Sequence, residues 1–309
     1  KDDAGLIART CNTDHDVLYF DSDDIWEDLE KLVKFLEEPI HSPAAYIQWL
    51  AWRKIADMGF KVILHGAAND ELMMGYSYFL EIQDKYDIRS FNFPLRMQGN
   101  NIFYYKNILR LIKWTLKKEL IFRPKNNPLN KHPKNRVFKE EFLNDHIWSY
   151  NKITHLLRSS DNGVKRRYAD FRSLRIPFWN NYMDKSMMSI PIEVRQPFLD
   201  KNVVEFCFKN SEKVFYHKGW SKYLLRKSLK EYLPKRITWN NRKKGFSSPT
   251  RDWLIKNKKS NLDILKSNTD LNDFINVSYI EENYDSLNHN LLWRIVNFAI
   301  WLEVCKVKI

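Results

Sequence analysis

Asp70 and Glu71 follow directly on a run of small residues, Gly66, Ala67 and Ala68, within the segment KVILHGAANDELMMGY from Lys61 to Tyr76. Small side chains at a turn let backbone N–H groups close on an anion, and carboxylates just beyond can ligate a hard cation. The pattern therefore suits phosphate and magnesium. It is equally the pattern of a capped helix after a strand, because acidic side chains favour a helix N-terminus whatever the function.

Two further clusters carry chemistry. In DKSMMSIPIEVRQPFLD, Asp184 to Asp200, Glu193 and Arg195 read as a buried ion pair that orients the PFLD turn, since charges in an apolar segment must pair. Asp184 precedes the apolar Met187 and Met188 and is a candidate to face a cleft. From Gly219 to Trp253, a helix is expected over Ser221 to Tyr232, with Leu225, Leu229 and Tyr232 on one face and a stop at Leu233-Pro234. Lys243, Lys244 and Gly245 then form a basic turn beside Phe246. A lysine fixed there could stabilise charge developing on a phosphate leaving group; such turns are also often merely solvated.

The elements that must position these groups alternate at first. Val17 to Phe20 reads as a short strand. Ser22 and Asp23 cap an amphipathic helix carrying Ile25, Leu29, Leu32, Val33 and Leu36, which Glu38-Pro39 ends. Pro43 opens a second helix reaching about Met58, and Lys61 to Leu64 is a strand apolar enough to be covered on both faces. This alternation predicts an α/β architecture with a doubly wound parallel sheet over about residues 1–80, followed by a mainly helical part over about 81–309. Asn126 to Lys134, with Pro128 and Pro133, is the best candidate for a mobile loop.

A chain of 309 residues that is 44% hydrophobic can bury a large core. Cys11, Cys207 and Cys305 share no close spacing, so neither a disulfide framework nor a zinc site is expected, and a reducing, cytoplasmic setting is the default. No apolar run reaches the roughly 20 residues of a spanning helix; Leu291 to Cys305 contains Arg294 and Asn297. The formal charge is +13, and much of it gathers between Lys106 and Lys139, interleaved with Trp114 and Phe122. Its many Lys and Asn favour a solvated face over a nucleic-acid partner, with a dock for an acidic partner as a third reading.

Taken in order, the three clusters resemble the synthetase domain of the glutamine-dependent asparagine synthetase family. Its patterns LSGxGADELFxGY, DRxSMAxSxEvRxPFLD and KxxLRxxxxxxLPxxIxxRxKxGFxxP are matched here by LHGAANDELMMGY, DKSMMSIPIEVRQPFLD and KYLLRKSLKEYLPKRITWNNRKKGFSSP. Leu292 to Leu302, with Trp293 and Trp301, resembles the family's last helix, and Glu37-Glu38-Pro39 its acidic-Pro segment. The resemblance implies an adenine-nucleotide alpha-hydrolase (ATP pyrophosphatase) fold. It also implies ATP-dependent amidation of a small-molecule carboxylate, aspartate or an analogue, through an acyl-adenylate with pyrophosphate release.

By position, His65, Gly66, Ala67, Lys222 and Arg226 would bind nucleotide and intermediate, Asp70 would ligate magnesium, and Lys243 and Asp184 would be catalytic. Ammonia would come from a glutaminase domain or subunit outside this chain. The family's upstream SGGxDS loop is absent and no initiator Met is present, so the chain is expected to be the C-terminal piece of a longer synthetase. Ala67 stands where asparagine-forming members carry an acid, and His65, Ala68, Asn69, Lys185 and Asn241 also depart from the pattern. Sugar acids and ring-closing substrates are thus alternative acceptors, and a non-catalytic scaffold is a further alternative.

Overall fold

A computed structural model of the chain describes residues 2–19, 25–79, 82, 136–139, 163–217, 219–240 and 248–307. Helix α1 (Asp2–Cys11) leads through coil to α2 (Ile25–Leu36), α3 (Pro43–Asp57), strand β1 (Val62–Leu64) and the single turn α4 (Asn69–Leu72). Helix α5 (Gly163–Ala169) passes through a π-helical turn, Asp170–Leu174, into α6 (Arg175–Met188), which leads to β2 (Glu193–Arg195). Then come α7 (Lys201–Lys209), α8 (Glu212–Phe215), α9 (Tyr223–Leu229) and α10 (Lys235–Thr238). The final group is α11 (Thr250–Lys256), α12 (Lys258–Ser267), α13 (Val277–Asn283) and α14 (His289–Cys305).

The helices expected near the N-terminus form for the expected reasons. Leu29, Leu32, Val33 and Leu36 recur at helical spacing along α2, and each is at most 1% exposed. Pro43 begins α3 where its missing N–H costs nothing, and the Ser42 hydroxyl accepts from the Ala45 N–H. These helices, with α6 and α11 to α14, enclose the main core, which includes Trp49, Met183, Met187, Trp253, Trp293 and Ile300. Trp293 Nε1 donates to the Ile40 carbonyl at 3.1 Å and Trp301 Nε1 to the Glu37 carbonyl at 2.9 Å. The last helix therefore clamps the acidic-Pro connection between α2 and α3. Lys185 holds the same corner, donating to the Leu36 carbonyl and pairing with Glu38 at 2.6 Å.

The sheet is smaller than the alternation predicts. Among the described residues it has two strands, β1 and β2, paired in parallel with Ile63 opposite Val194. The described residues are mostly helical around this ladder, and a doubly wound sheet is not seen among them. Nor is β1 covered on both faces. Ile63 packs against the main core, but Val62 is 42% and Leu64 72% exposed, so its apolar run has only one covered side. Val17–Tyr19 is coil rather than strand, because a strand forms only where a neighbour supplies a ladder; Phe20 lies outside the described residues, as do Ser22 and Asp23.

The strand β2 was not legible as such, although Ile192 and Val194 alternate with Glu193 and Arg195 at strand period. Arg195 Nε does pair with Glu193 Oε1 at 2.8 Å, but both side chains are more than half exposed, so the pair is a surface one. Helix α9 is shorter than expected, and Tyr232 is 72% exposed beyond its end instead of sharing a face with Leu225. Nearly all of the basic Lys106–Lys139 segment, including the Asn126–Lys134 loop, lies outside the described residues. No helix among those described is long and apolar enough to cross a membrane.

Candidate active site

The turn after β1 is the seam between two cores. Ala67 packs on the main one, while Ala68, Leu72, Met73 and Met74 belong to a second cluster with Phe79, Ile176, Cys207 and Phe215. The ladder runs one step past β1, with the His65 N–H donating to the Arg195 carbonyl at 2.8 Å. The chain then turns through Gly66 and Ala67 to Ala68, which adopts φ 69°, a left-handed conformation strained for any residue with a Cβ. A glycine would fit there without cost, so Ala68 keeps the geometry of the turn against its own preference.

Helix α4 aims its two carboxylates in opposite directions. Glu71 is buried and accepts from the Tyr76 hydroxyl at 2.7 Å, and burial pushes its carboxyl above the usual range. Asp70 faces the other way, and its Oδ1 lies 2.9 Å from Lys222 Nζ. The same ammonium donates to Asn69 Oδ1, and Asn69 Nδ2 donates to the Gly66 carbonyl. Lys222 is itself held at φ 51° before α9, with its backbone N–H on the Met73 carbonyl at 3.2 Å. The structure thus brings together Gly66, Asn69, Asp70 and Lys222, residues from two of the three sequence clusters.

Arg226, expected to bind nucleotide and intermediate, is bonded to backbone carbonyls. Its Nε donates to the Ser221 carbonyl at 2.7 Å, and its Nη1 to the Thr238 and Asn240 carbonyls at 2.7 and 2.9 Å. These bonds make it a clamp between α9 and the segment leading toward Lys243. Lys243 lies outside the described residues. Asp184 is exposed on α6.

His65 sits at the strand end with its Nε2 2.9 Å from Gln48 Nε2, and burial lowers its pKa. Gln48 was not foreseen, though a polar residue among Tyr46, Ile47 and Trp49 is a signal. Arg167 was also missed. Fully buried, it donates from Nη1 to the Leu72 carbonyl at 2.9 Å and the Cys207 carbonyl at 3.0 Å, tying the end of α4 to α7. Behind it, Asp170 is wholly buried and accepts from the Tyr78 hydroxyl at 2.5 Å and from Arg166 Nε at 3.2 Å. Arg175 stacks over Tyr76 at 4.6 Å, so this cluster braces the back of α4.

Magnesium was expected on Asp70. Its Oδ1 is held by an ammonium, Glu71 is turned inward, and no group of three or more metal-binding side chains occurs among the described residues. The described donors do not by themselves fit a magnesium ion, and the chemistry below is derived without one. Cys11, Cys207 and Cys305 are free, as expected. An open cleft of about 450 Å³ near α1 is lined by Leu6, Arg9, His15 and Arg236 and shares no residue with the Asp70 turn.

The family model described as asparagine synthase matches residues 1–303. The chain is similar to asparagine synthetase (glutamine-hydrolyzing) 1 of Bacillus subtilis (strain 168), 25% identical over 312 residues, covering 90% of this chain and 45% of that protein. It is also 25% identical over 268 residues to putative asparagine synthetases (glutamine-hydrolyzing) of Mycobacterium bovis and Mycobacterium tuberculosis, covering 82% of this chain and 39% of each relative. The chain therefore spans less than half the length of these curated relatives. With a family model matching nearly its whole length and the Asp70–Lys222 pair joining two of its motifs, the chain belongs to the asparagine synthase family.

Proposed function

We propose that this chain carries the synthetase half of an ATP-dependent amidation, with a small-molecule carboxylate, aspartate or an analogue, as acceptor. The observation that carries this reading is the Lys222 ammonium held on Asp70 beside the small-residue turn. A carboxylate oxygen attacks the α-phosphorus of ATP, and the bond to pyrophosphate breaks. Ammonia then attacks the acyl carbon, AMP leaves, and a proton is lost to give the amide. The ammonia would come from a glutaminase domain or subunit of the kind the relatives' names imply.

In this scheme Lys222 stabilises charge on the departing pyrophosphate, and Asp70 orients it through their ion pair. Gly66 and Ala67 leave room for backbone N–H groups to approach the nucleotide and the acyl group. Lys243 is proposed as a second cation on the pyrophosphate, and Arg226 as its support. Asp184, exposed on α6, is kept as a catalytic residue on the strength of the resemblance. The division into an α/β part over about residues 1–80 and a helical part over about 81–309 is part of the same proposal.

The test is pyrophosphate release from ATP by the polypeptide as expressed from its own gene, across aspartate, sugar acids and amino-dicarboxylates. Lys222→Met should lower turnover about a hundredfold, the scale of a lost transition-state charge contact. Unchanged turnover would remove Lys222 from the mechanism. No release with any carboxylate would favour the scaffold reading, which Ala67, with no carboxylate to offer, already supports.

A further inference from the structure

We propose that Gln48 fixes the tautomer of His65, and that the His65 Nδ1–H so created is a donor held for an oxygen of the bound carboxylate or nucleotide. The proposal rests on the activation reading above and adds the group that recognises the ligand at the strand end.

The first step is a matter of hydrogen-bond roles. Gln48 Nε2 lies 2.9 Å from His65 Nε2. An amide nitrogen donates and has no lone pair to accept, so the imidazole Nε2 must be the acceptor and the ring proton must sit on Nδ1. Burial disfavours the charged ring, which keeps it neutral and in this single tautomer. Gln48 is well placed for the task, because α3 is pinned to the core by Tyr46, Ile47, Trp49 and Trp52, all at most 7% exposed. Trp52 also meets the His65 ring edge-on, with ring centres 6.5 Å apart.

The second step concerns what the proton is for. Nδ1 of His65 is buried and has no hydrogen-bond partner among the described residues. A buried donor left unmade is costly, and a group kept in that state calls for a reason. Two other buried unpartnered atoms, His41 Nε2 and Tyr182 Oη, are set among aromatic rings of the helical core. His65 instead occupies the C-terminal end of a parallel strand, immediately before the Gly66–Ala68 turn, where ligands of open α/β sheets sit. A lone N–H there selects an acceptor oxygen and rejects a cation. Gln48 is then a positioning residue that acts through His65.

The experiment is nitrogen NMR of the labelled imidazoles in the full chain, with AMP, inorganic pyrophosphate and aspartate as probes. The expected result is an Nδ1–H tautomer in the unaltered protein, a mixture in Gln48→Leu, and an Nε2–H tautomer with a raised pKa in Gln48→Glu, where a carboxylate accepts instead. At least one probe should move the Nδ1–H resonance and bind about tenfold more weakly to Gln48→Leu, the scale of one hydrogen bond. A response to AMP or pyrophosphate identifies a phosphoryl oxygen, and one to aspartate a carboxylate. An Nε2–H tautomer in the unaltered protein, or no response to any probe, overturns the proposal. The expected tautomer and probe response without pyrophosphate release would fail the activation reading and leave this one standing.

Discussion

Lys222 Nζ lies 2.9 Å from Asp70 Oδ1, and the pair closes over Gly75. A Cβ at Gly75 would lie 2.7 Å from Asp70 Cγ and closer still to Asp70 Oδ1 and the Lys222 stem. The backbone cannot yield easily, because the Gly75 N–H is bonded to the Asp70 carbonyl at 2.8 Å. Gly75 is thus required for space rather than for an unusual φ. Gly75→Ala is expected to separate the pair and lower pyrophosphate release at least tenfold, while thermal unfolding shifts by only a few degrees. Retained activity would show that the pair is not part of the reaction.

Arg226 offers a second test, because its bonds are made by a planar fork. A lysine can keep one of the contacts to the Ser221, Thr238 and Asn240 carbonyls but cannot span them. Arg226→Lys keeps the charge and is expected to destabilise the chain by about 2 kcal/mol, the cost of leaving part-buried acceptors unmade. Urea unfolding measures this directly. A loss under about 0.5 kcal/mol, typical of a surface change, would mean that the clamp is not a structural support.

Arg167 extends the argument to the back of the site. It is wholly buried, its partners are the Leu72 and Cys207 carbonyls, and its guanidinium stacks on Phe215 at 4.8 Å. Arg167→Met would keep much of the packing volume but leave both carbonyls unmade. The expected loss is about 3 kcal/mol in urea unfolding, with pyrophosphate release falling as the end of α4 loosens. A stability change near zero would show that water or neighbouring groups satisfy those carbonyls.

What the sequence made legible depends on how local the cause is. Leu29, Leu32, Val33 and Leu36 state helix α2 by their spacing, and Pro43 marks the start of α3 by its own chemistry. Gly66 to Asp70 reads as a strand-to-helix turn for the same reason. Pairings across the chain leave no such mark: nothing near Asp70 announces Lys222, and nothing near Glu37 announces Trp301. Arg167 is harder still, since its partners are backbone carbonyls, which every residue has. Strand β2 escaped because its exposed Glu193 and Arg195 look like an ion pair in need of burial, when in fact they mark the open face of a two-stranded ladder.

The last expectation concerns acid stability. His41 is enclosed by Phe178, Trp179 and Tyr182, with ring centres 4.7 to 5.0 Å away, and its Nε2 is buried without a partner. Burial, with the Arg294 guanidinium adding to it, pushes its pKa down to about 4. The unfolded chain, with an ordinary histidine near 6.5, binds this proton first as pH falls, so the unfolded state gains free energy before the folded state can. Stability is therefore unaffected by His41 above about pH 6.5 and is lost progressively down to about pH 4, by roughly 3 kcal/mol in all. His65, whose pKa burial also lowers, adds to the loss in the same direction. Urea unfolding followed from pH 7.5 to pH 4.5 should show the slope, and His41→Phe, which keeps the aromatic contacts without the titrating group, should flatten most of it. An equally steep profile in that variant would assign the acid sensitivity to other groups, with the part-exposed Glu38–Lys185 pair the first to examine, since Lys185 holds the Glu38 carboxyl below its ordinary range.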